Sequence, residues 1–477
     1  MLKIYNTLTR KVEEFVPIEK GKVGLYSCGP TVYNYVHLGN LRAYVFIDLL
    51  KRYLAYRGFQ VKHVMNITDV DDKTIRDSQK NGKTLKDFTD FYTDALMKDL
   101  DLMNICLPDV MPKATECIPE MVQITQKLLD TGFAYRQGDS IYFKILKSPH
   151  YGELAQLEKQ SLKENADQRL NQSDEYEKEN VNDFVLWKGW KPEDGDVFWE
   201  NELGKGRPGW HIECTAMSMK YLGETFDIHG GGEDLLFPHH TNEIAQSEAY
   251  TGKKFVNYWM HNAHLMVEGK KMSKSLGNFF TLGDIVGKGY VPILVRIVLL
   301  KVHYRLNLNF TFAGLDEAQA IAKRILDTLI DLTLVKSTAE NDIKVGDMIK
   351  TCRENFVGAM DEDLNVSGGF AALMDFVSEI NKQVKKLNVA QARDVQEFIF
   401  ELDEVLGFVK VIYDRYQANL AEVSADPAVI KLVEERAGCK KNKDYARADQ
   451  IRGELAEKGI SVSDMEGDKY LLRLSYL

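Results

Sequence analysis

Four side chains in this sequence carry the chemistry of a soft-metal site. Cys28 follows the apolar run KVGLYS and opens CGPTVYN; Cys214 sits in GWHIECTAMS. His239 and Glu243 are four apart in HHTNEIAQ, so a helix puts both on one face. Soft thiolates with an imidazole suit zinc. No CxxC pair exists, so spacing alone leaves open that Cys28 and Cys214 are ordinary buried thiols.

Two further segments suit phosphate chemistry. Tyr35 to Asn40 reads YVHLGN at the entry to a long helical pattern. A helix N-terminus offers unpaired N–H groups and a favourable dipole to phosphate. Gly39 lets backbone approach a nucleotide, and His37 and Asn40 are hydrogen-bond donors; a plain helix cap is the alternative. Gly269 to Asn278 reads GKKMSKSLGN. Lysines on a flexible loop can close over a triphosphate and stabilise charge developing in nucleotidyl transfer. A solvated basic turn is the alternative.

These residues need elements to hold them. Lys22 to Ser27 reads as a strand, Leu41 to Tyr56 as a helix ended by Gly58, and Gln60 to Ile67 as the next strand. Strand, helix, strand is a βαβ unit, which predicts a parallel sheet. Thr225 to His229 and Val256 to Asn262 read as later strands, with a helix over His239 to Tyr250 between them. Gly230, Gly231 and Gly232 follow the first of these and would admit a nucleotide. All four candidate metal ligands fall beside strand ends, where doubly wound folds hold ligands. The stretch 108–205 interrupts the pattern. It holds a hairpin signal at Gly138-Asp139 and a nearly apolar-free run, Ser161 to Asp183, read as a surface loop. From Phe312 long helical patterns follow one another (312–335, 343–360, 369–387, 390–408), as in an antiparallel bundle, and a charged helical tail ends the chain. The fold class is therefore α/β, a doubly wound, Rossmann-like parallel sheet split by an insertion, then an all-α bundle and a small C-terminal helical domain.

Composition agrees and excludes much else. The 477 residues predict about three domains. With 44% hydrophobic and 28% charged residues, disordered, collagen-like and disulfide-scaffold classes are excluded. The most apolar segment, Val291 to Leu300, is broken by Arg296, so no membrane span is expected. The N-terminus lacks the apolar core of a signal peptide, and six scattered cysteines suggest reduced thiols in the cytoplasm. The net charge of −10 requires any nucleic-acid surface to be local; Cys439 to Gly453 is such a basic stretch.

The HLGN and KMSKS strings together resemble the two signatures of class I aminoacyl-tRNA synthetases. The first usually reads His-x-Gly-His; Asn40 replaces its last histidine. CGPTVYNYVHLGN, GWHIECTAMS, HGGGEDLLFPHHTNEIAQSEA and KMSKSLGN, in this order, resemble cysteinyl-tRNA synthetases. The likeness continues through HYRLNLNF and the tail KKNKDYARADQIRGEL.

The resemblance implies one Zn2+ per chain on Cys28, Cys214, His239 and Glu243. It implies phosphate and nucleotide contacts from Thr31, His37, Gly39, Asn40, Gly230, Gly231, Gly232, Lys271 and Lys274, with Mg2+ on ATP. His37, Asn40, Lys271 and Lys274 are the expected catalytic set. Cys28, Gly29, Thr68, Trp210 and Asp234 are expected to line the cysteine pocket, Asp234 holding the ammonium; His240 is expected outside the ligand set. The implied activity joins L-cysteine to tRNA(Cys) through cysteinyl-adenylate. A neutral hydroxyl competes poorly with a thiolate for zinc, so serine is rejected without an editing site. Four protein ligands fill a tetrahedral zinc, so the substrate must add a fifth bond or displace one; Glu243 is the one expected to yield. The implied division is 1–107 and 206–262 for the halves of the catalytic domain and 108–205 for the insertion. The KMSKS loop and stem-contact region follow at 263–311, the bundle at 312–419 and an anticodon-binding domain at 420–477. A monomer is expected. The rival readings are a cysteine ligase acting on a sugar amine, a plain nucleotidyltransferase, and a non-enzymatic zinc and RNA-binding protein.

Overall fold

The structure, a computed structural model, describes residues 1–157, 183–272, 277–464 and 470–474. The chain forms two compact units. The first comprises Met1–Lys288, Leu299–Thr311 and Arg353–Ala372; the second comprises Gly289–Val298, Phe312–Cys352 and Leu373–Leu477.

The first unit is built on a four-stranded, wholly parallel sheet. In chain order its elements are β1 (Lys22–Ser27), α1 (Leu38–Tyr56), β2 (Gln60–Met65), α2 (Trp210–Leu222), β3 (Phe226–Gly232), α3 (Thr241–Thr251) and β4 (Val256–Asn262). The strand order is β4-β3-β1-β2. The chain therefore leaves β1 toward β2 on one side and later adds β3 on the other. That reversal opens a crevice at the C-terminal ends of β1 and β3, the place where open α/β sheets bind ligands. β3 is buried from Phe226 through Gly231, as expected of a strand covered on both faces. A Cβ on Gly230 would come within 2.5 Å of Ile47 on α1, whereas one on Gly231 would come within 3.0 Å of His240 beside α3. Successive residues thus face helices on opposite sides of the sheet, and a bare Gly230 leaves the Ile47 side chain of α1 room against the strand. Gly230 to Gly232 belong to the strand itself, where the sequence suggested a following loop.

Between β2 and α2 run residues 66–209, which include the stretch 108–205 expected as an insertion. Helices Asp72–Lys80, Leu85–Leu102 and Ile118–Asp130 lead into an antiparallel sheet of four strands, Ala134–Gln137, Ser140–Phe143, Phe184–Gly189 and Gly206–Pro208. The first two form the hairpin expected at Gly138-Asp139, with Gly138 at φ 58°. The polar run 161–183 lies outside the described residues save Asp183. After β4 a small sheet pairs Leu265–Val267 with Lys270–Lys271 and, in parallel, with Leu308–Phe310.

The second unit is helical, as the periodicity predicted. Its long helices include Phe312–Thr333, Val389–Leu406, Val409–Ala425, Pro427–Lys441 and Tyr445–Glu457. The charged tail differs from expectation at its end: Ile460–Asp464 and Tyr470–Leu474 pair as an antiparallel ribbon. Ile460, Val462, Leu472 and Leu474 are buried, so alternating apolar residues, too few for a helical face, seat this ribbon. Among the described residues no helix is long and apolar enough to cross a membrane.

Candidate active site and metal centre

Cys28 is the first residue beyond β1, and its N–H donates to the Gly230 carbonyl of β3 (3.4 Å), so it sits in the crevice where the strand order reverses. Cys214 lies in the first turns of α2 and is buried. Glu243 lies in the first turn of α3, and His239 in the irregular turn Leu236–His240 that precedes it. The four donor atoms all lie within 4.8 Å of one another. Cys28 Sγ is 3.9 Å from Cys214 Sγ and 4.0 Å from Glu243 Oε1. His239 Nε2 is 3.4 Å from Cys214 Sγ and 3.1 Å from Glu243 Oε1. Both thiols are unbridged. Burial, and then the Cys214 sulfur, push the Cys28 thiol well up; burial pushes Glu243 up to about 7 and His239 down. Cys214, His239 and Glu243 are buried and Cys28 is half-buried, and together they offer two sulfurs, an imidazole and a carboxylate. Such a donor set fits a soft divalent cation, which supplies the charge that burial otherwise opposes.

Histidines surround this cluster. His229 Nε2 lies 2.9 Å from Glu243 Oε2, which leaves Oε1 toward the sulfurs. His211 Nδ1 lies 3.0 Å from His239 Nδ1, opposite the nitrogen that faces Cys214. His240 Nε2 is 3.3 Å from Cys28 Sγ, and its Nδ1 is 2.8 Å from His261 Nε2, which in turn contacts Thr7 Oγ1 at 2.9 Å. A second set of donors, Cys28, His229, His240 and Glu243, therefore also meets the geometric requirement, sharing Cys28 and Glu243 with the first. His240 is thus much closer to the centre than its sequence position suggested.

The two signature segments meet although they are far apart in sequence. His37 caps α1: its Nδ1 accepts from the Asn40 N–H (3.2 Å), and Asn40 Oδ1 accepts from the His37 N–H (3.2 Å). This reciprocal cap spends the Asn40 carbonyl and leaves its amide nitrogen as a donor. A tight turn with Glu268 at φ 49° and Gly269 at φ 74° sends the chain into Lys270–Lys271, at the start of the KMSKS string. The chain returns beside the cap. Leu38 N–H donates to Phe280 O (3.0 Å), His37 bridges Thr281, and the Phe279 ring packs edge-on to His37 at 5.0 Å. A Cβ on Gly39 would come within 3.3 Å of Met272 Cε, so Gly39 gives the loop room to lie against the helix start. Lys274 lies outside the described residues, and Lys271 is described in its backbone alone.

The other expected pocket residues divide. Gly29 N–H donates to Asn66 Oδ1 (2.8 Å), and a Cβ there would collide with the Asn66 carbonyl. Thr31 bridges Thr68, which is buried and donates to Glu213 Oε2 (2.9 Å). The Trp210 ring stacks on His239, with centroids 4.2 Å apart and planes 28° apart. Asp234 is exposed, on the short turn Glu233–Leu235 after β3.

Residues 14–320 match the family model described as the tRNA synthetases class I (C) catalytic domain. Residues 355–410 match a DALR domain, and 424–471 the Cysteinyl-tRNA ligase anticodon binding domain. The chain is 46% identical over 462 residues to the cysteine–tRNA ligase of Brachyspira hyodysenteriae, covering 96% of this chain and 97% of that one. It belongs to the cysteine–tRNA ligase family. The ligase of Chlamydia muridarum is 44% identical (97% and 98% covered), and that of Lactobacillus gasseri 42% (97% and 98%). Among solved structures, the fold resembles Mycobacterium tuberculosis methionyl-tRNA synthetase in complex with methionyl-adenylate. That match has a TM-score of 0.57 at 12% identity and covers 82% of this chain and 90% of that one.

Within this cysteine–tRNA ligase family member, several site neighbours were not singled out from sequence. Asn66, Glu213 and Thr7 fall into this group, and His229 was read only as the end of a strand. The available signal was polarity out of place: His229 inside an apolar strand, Asn66 and Thr68 just past one. The cap geometry yields a test. Asn40→Asp keeps the Oδ1 acceptor and removes the amide donor. The expected result is a melting temperature close to the parent's with the KM for ATP raised about tenfold, at roughly 1.4 kcal/mol for one lost phosphate contact. An unchanged KM for ATP would remove Asn40 from the nucleotide site.

Proposed function

We infer that this chain activates L-cysteine with ATP and transfers it to tRNA(Cys). The observation that carries the reading is a two-sulfur donor cluster at the C-terminal edge of the same parallel sheet as the HLGN turn and the root of the KMSKS loop. The ligand set is Cys28, Cys214, His239 and Glu243, because it alone includes both sulfurs; His229 and His211 orient Glu243 and His239. A zinc ion held by these residues would supply a soft Lewis acid that favours the substrate's sulfur, as thiolate, over a hydroxyl.

In the first step a carboxylate oxygen of cysteine bonds to the α-phosphorus of ATP. The bond from that phosphorus to the β-bridging oxygen breaks, and pyrophosphate leaves with the electron pair. Orientation and charge stabilisation suffice, and no general base is required. His37, Asn40, Lys271 and Lys274 steady the phosphates, with Thr31, Gly39 and Gly230 to Gly232 lining the nucleotide and Mg2+ arriving on ATP. Gly29, Thr68, Trp210 and Asp234 hold the amino acid beside Cys28. In the second step the 3′-terminal ribose hydroxyl of tRNA attacks the carbonyl carbon, the ester forms and AMP leaves. The enzyme acts as a cytoplasmic monomer, and the catalytic domain is the split unit 1–107 and 206–262.

Transfer to a sugar amine is the competing acceptor reaction. The match of residues 424–471 to an anticodon-binding domain disfavours it. Pyrophosphate exchange tried with each amino acid should depend on cysteine alone, and purified tRNA(Cys) should then be charged. Exchange with no amino-acid preference, or charging of an amino sugar in place of tRNA, would refute the reading. Tyr445, 59% exposed at the start of the helix Tyr445–Glu457, belongs to the basic tail. Tyr445→Ala should lower kcat/KM for tRNA charging about fivefold or more and leave exchange unaltered, at roughly 1–3 kcal/mol per stacked base. Equal loss in both assays would refute RNA contact by the tail.

A further inference from the structure

One surface beside the HLGN turn lies outside the residues assigned above to adenylate formation. The loop from β1 to α1 carries Tyr33 and Tyr35, and the helix Leu85–Leu102 carries Phe88, Phe91 and Tyr92. Tyr35 meets Phe91 and Tyr92 edge-on, with centroids 6.2 and 5.5 Å apart. Tyr92 packs against the buried Phe88 at 5.1 Å, which anchors the group to the helix. Even so, Tyr35 is 47% and Phe91 48% exposed. Edge-to-face packing holds the rings in place while about half of the Tyr35 and Phe91 side chains stays exposed. The Lys83 ammonium lies 5.1 Å from the Phe91 centroid, and that of Lys73 lies 5.3 Å from the Tyr33 centroid. Among the described residues neither ammonium is paired with a carboxylate; both are exposed.

Open aromatic faces interleaved with unpaired cations are the elements of a single-stranded nucleic-acid platform, where rings stack on bases and cations meet phosphates. The location narrows the occupant. Tyr35 is two residues from His37, on the loop that supplies Cys28, Gly29 and Thr31. In the second step the terminal ribose must reach the adenylate over the rim of this crevice, so unpaired 3′ nucleotides must lie on the surface next to it. A partner with a folded apolar patch would fit poorly, because the rings are flanked by lysines and do not form a continuous apolar face.

We propose that Tyr35 and Phe91, with Lys73 and Lys83, form the platform on which the single-stranded 3′ end of the tRNA stacks before the terminal ribose enters the site. This rests on the ligase reading above. The test compares the parent with Tyr35→Ala/Phe91→Ala and with the aromatic-retaining Tyr35→Phe/Phe91→Tyr, using full-length tRNA(Cys) and a transcript lacking the unpaired 3′ nucleotides. Cysteine-dependent pyrophosphate exchange should stay within about twofold in both variants, which also reports an intact fold. Charging of full-length tRNA by the alanine variant should fall in kcat/KM about 10- to 100-fold, from roughly 1–3 kcal/mol of stacking per base. The aromatic variant should retain it. Affinity for the shortened transcript should be the same for all three proteins. Unimpaired charging by the alanine variant, or an equal affinity loss with the shortened transcript, would overturn the platform alone. Loss of exchange in the alanine variant alone would also overturn it, by assigning the rings to the fold. Absence of cysteine-dependent exchange in the parent would overturn the ligase reading first.

Discussion

Cys214→Ser is expected to empty the metal centre and abolish selection of cysteine while the chain still folds. Cys214 is buried, with its sulfur 3.4 Å from His239 Nε2 and 3.9 Å from Cys28 Sγ. A serine hydroxyl can replace the hydrogen bond to His239, so the structural cost should stay at about 1–2 kcal/mol. It cannot replace a soft anionic ligand. Loss of a partner merely supporting a ligand lowers metal affinity about 10- to 100-fold, and loss of the ligand itself should exceed that. Zinc measured after dialysis should fall from one per chain to a small fraction. The KM for cysteine in pyrophosphate exchange should rise on the order of 100-fold, and the preference over serine should shrink with it. His240→Asn separates the two candidate donor sets. If Cys214 and His239 hold the ion, this change spares zinc content, whereas ligation by His229 and His240 would empty the site in His240→Asn and leave it filled in Cys214→Ser. Full zinc content in Cys214→Ser would contradict the assignment.

Lys274→Ala is the second large effect. The lysine is the second of KMSKS, a string entered from the Lys270–Lys271 strand and followed in sequence by Phe279, which packs against His37 at the helix cap. Under the proposed function its cation is expected to act on charge that develops as the pyrophosphate bond breaks, so its removal should lower kcat more than binding. The expected loss in adenylate formation, measured in single turnover, is about 100- to 1,000-fold, the range for removing one preorganised group that stabilises the transition state. The KM values for cysteine and ATP should change little, and zinc content not at all. Lys274→Arg should restore part of the rate, since charge is kept and shape is not. A loss confined to KM would mean that the lysine binds ATP without favouring the transition state.

Much of this site was legible because its residues are chemically unusual where they stand. Cys28 after KVGLYS and the His239–Glu243 pair stood out by type and spacing, and the parallel sheet of β1, β2, β3 and β4 followed from the strand–helix alternation, though its strand order did not. The limits have physical reasons. Gly230 to Gly232 have no side chains to signal a strand, yet pairing with β4 extends β3 through all three; tertiary context overrides propensity there. α1 begins at Leu38, three residues earlier than hydrophobic periodicity suggested, because the first turn is fixed by the His37–Asn40 cap. Arg42 is a charged residue inside the apolar pattern of α1. It is buried and donates to the His264, Tyr304 and Leu306 carbonyls, its pKa lowered by burial to about 10. No periodicity reveals partners so distant in sequence. Residue type alone draws attention to His211 and His261, but the contacts of the histidine shell, His229 included, exist only when α2, β3 and β4 are brought side by side.

Zinc K-edge X-ray absorption on the purified protein, with and without bound L-cysteine, tests the central claim most directly. With Cys28 and Cys214 as the protein's sulfur ligands, the account predicts two sulfurs around zinc in the free enzyme, three with cysteine bound, and still two with L-serine. A zinc shell without sulfur, or a sulfur count unaltered by cysteine, would contradict it.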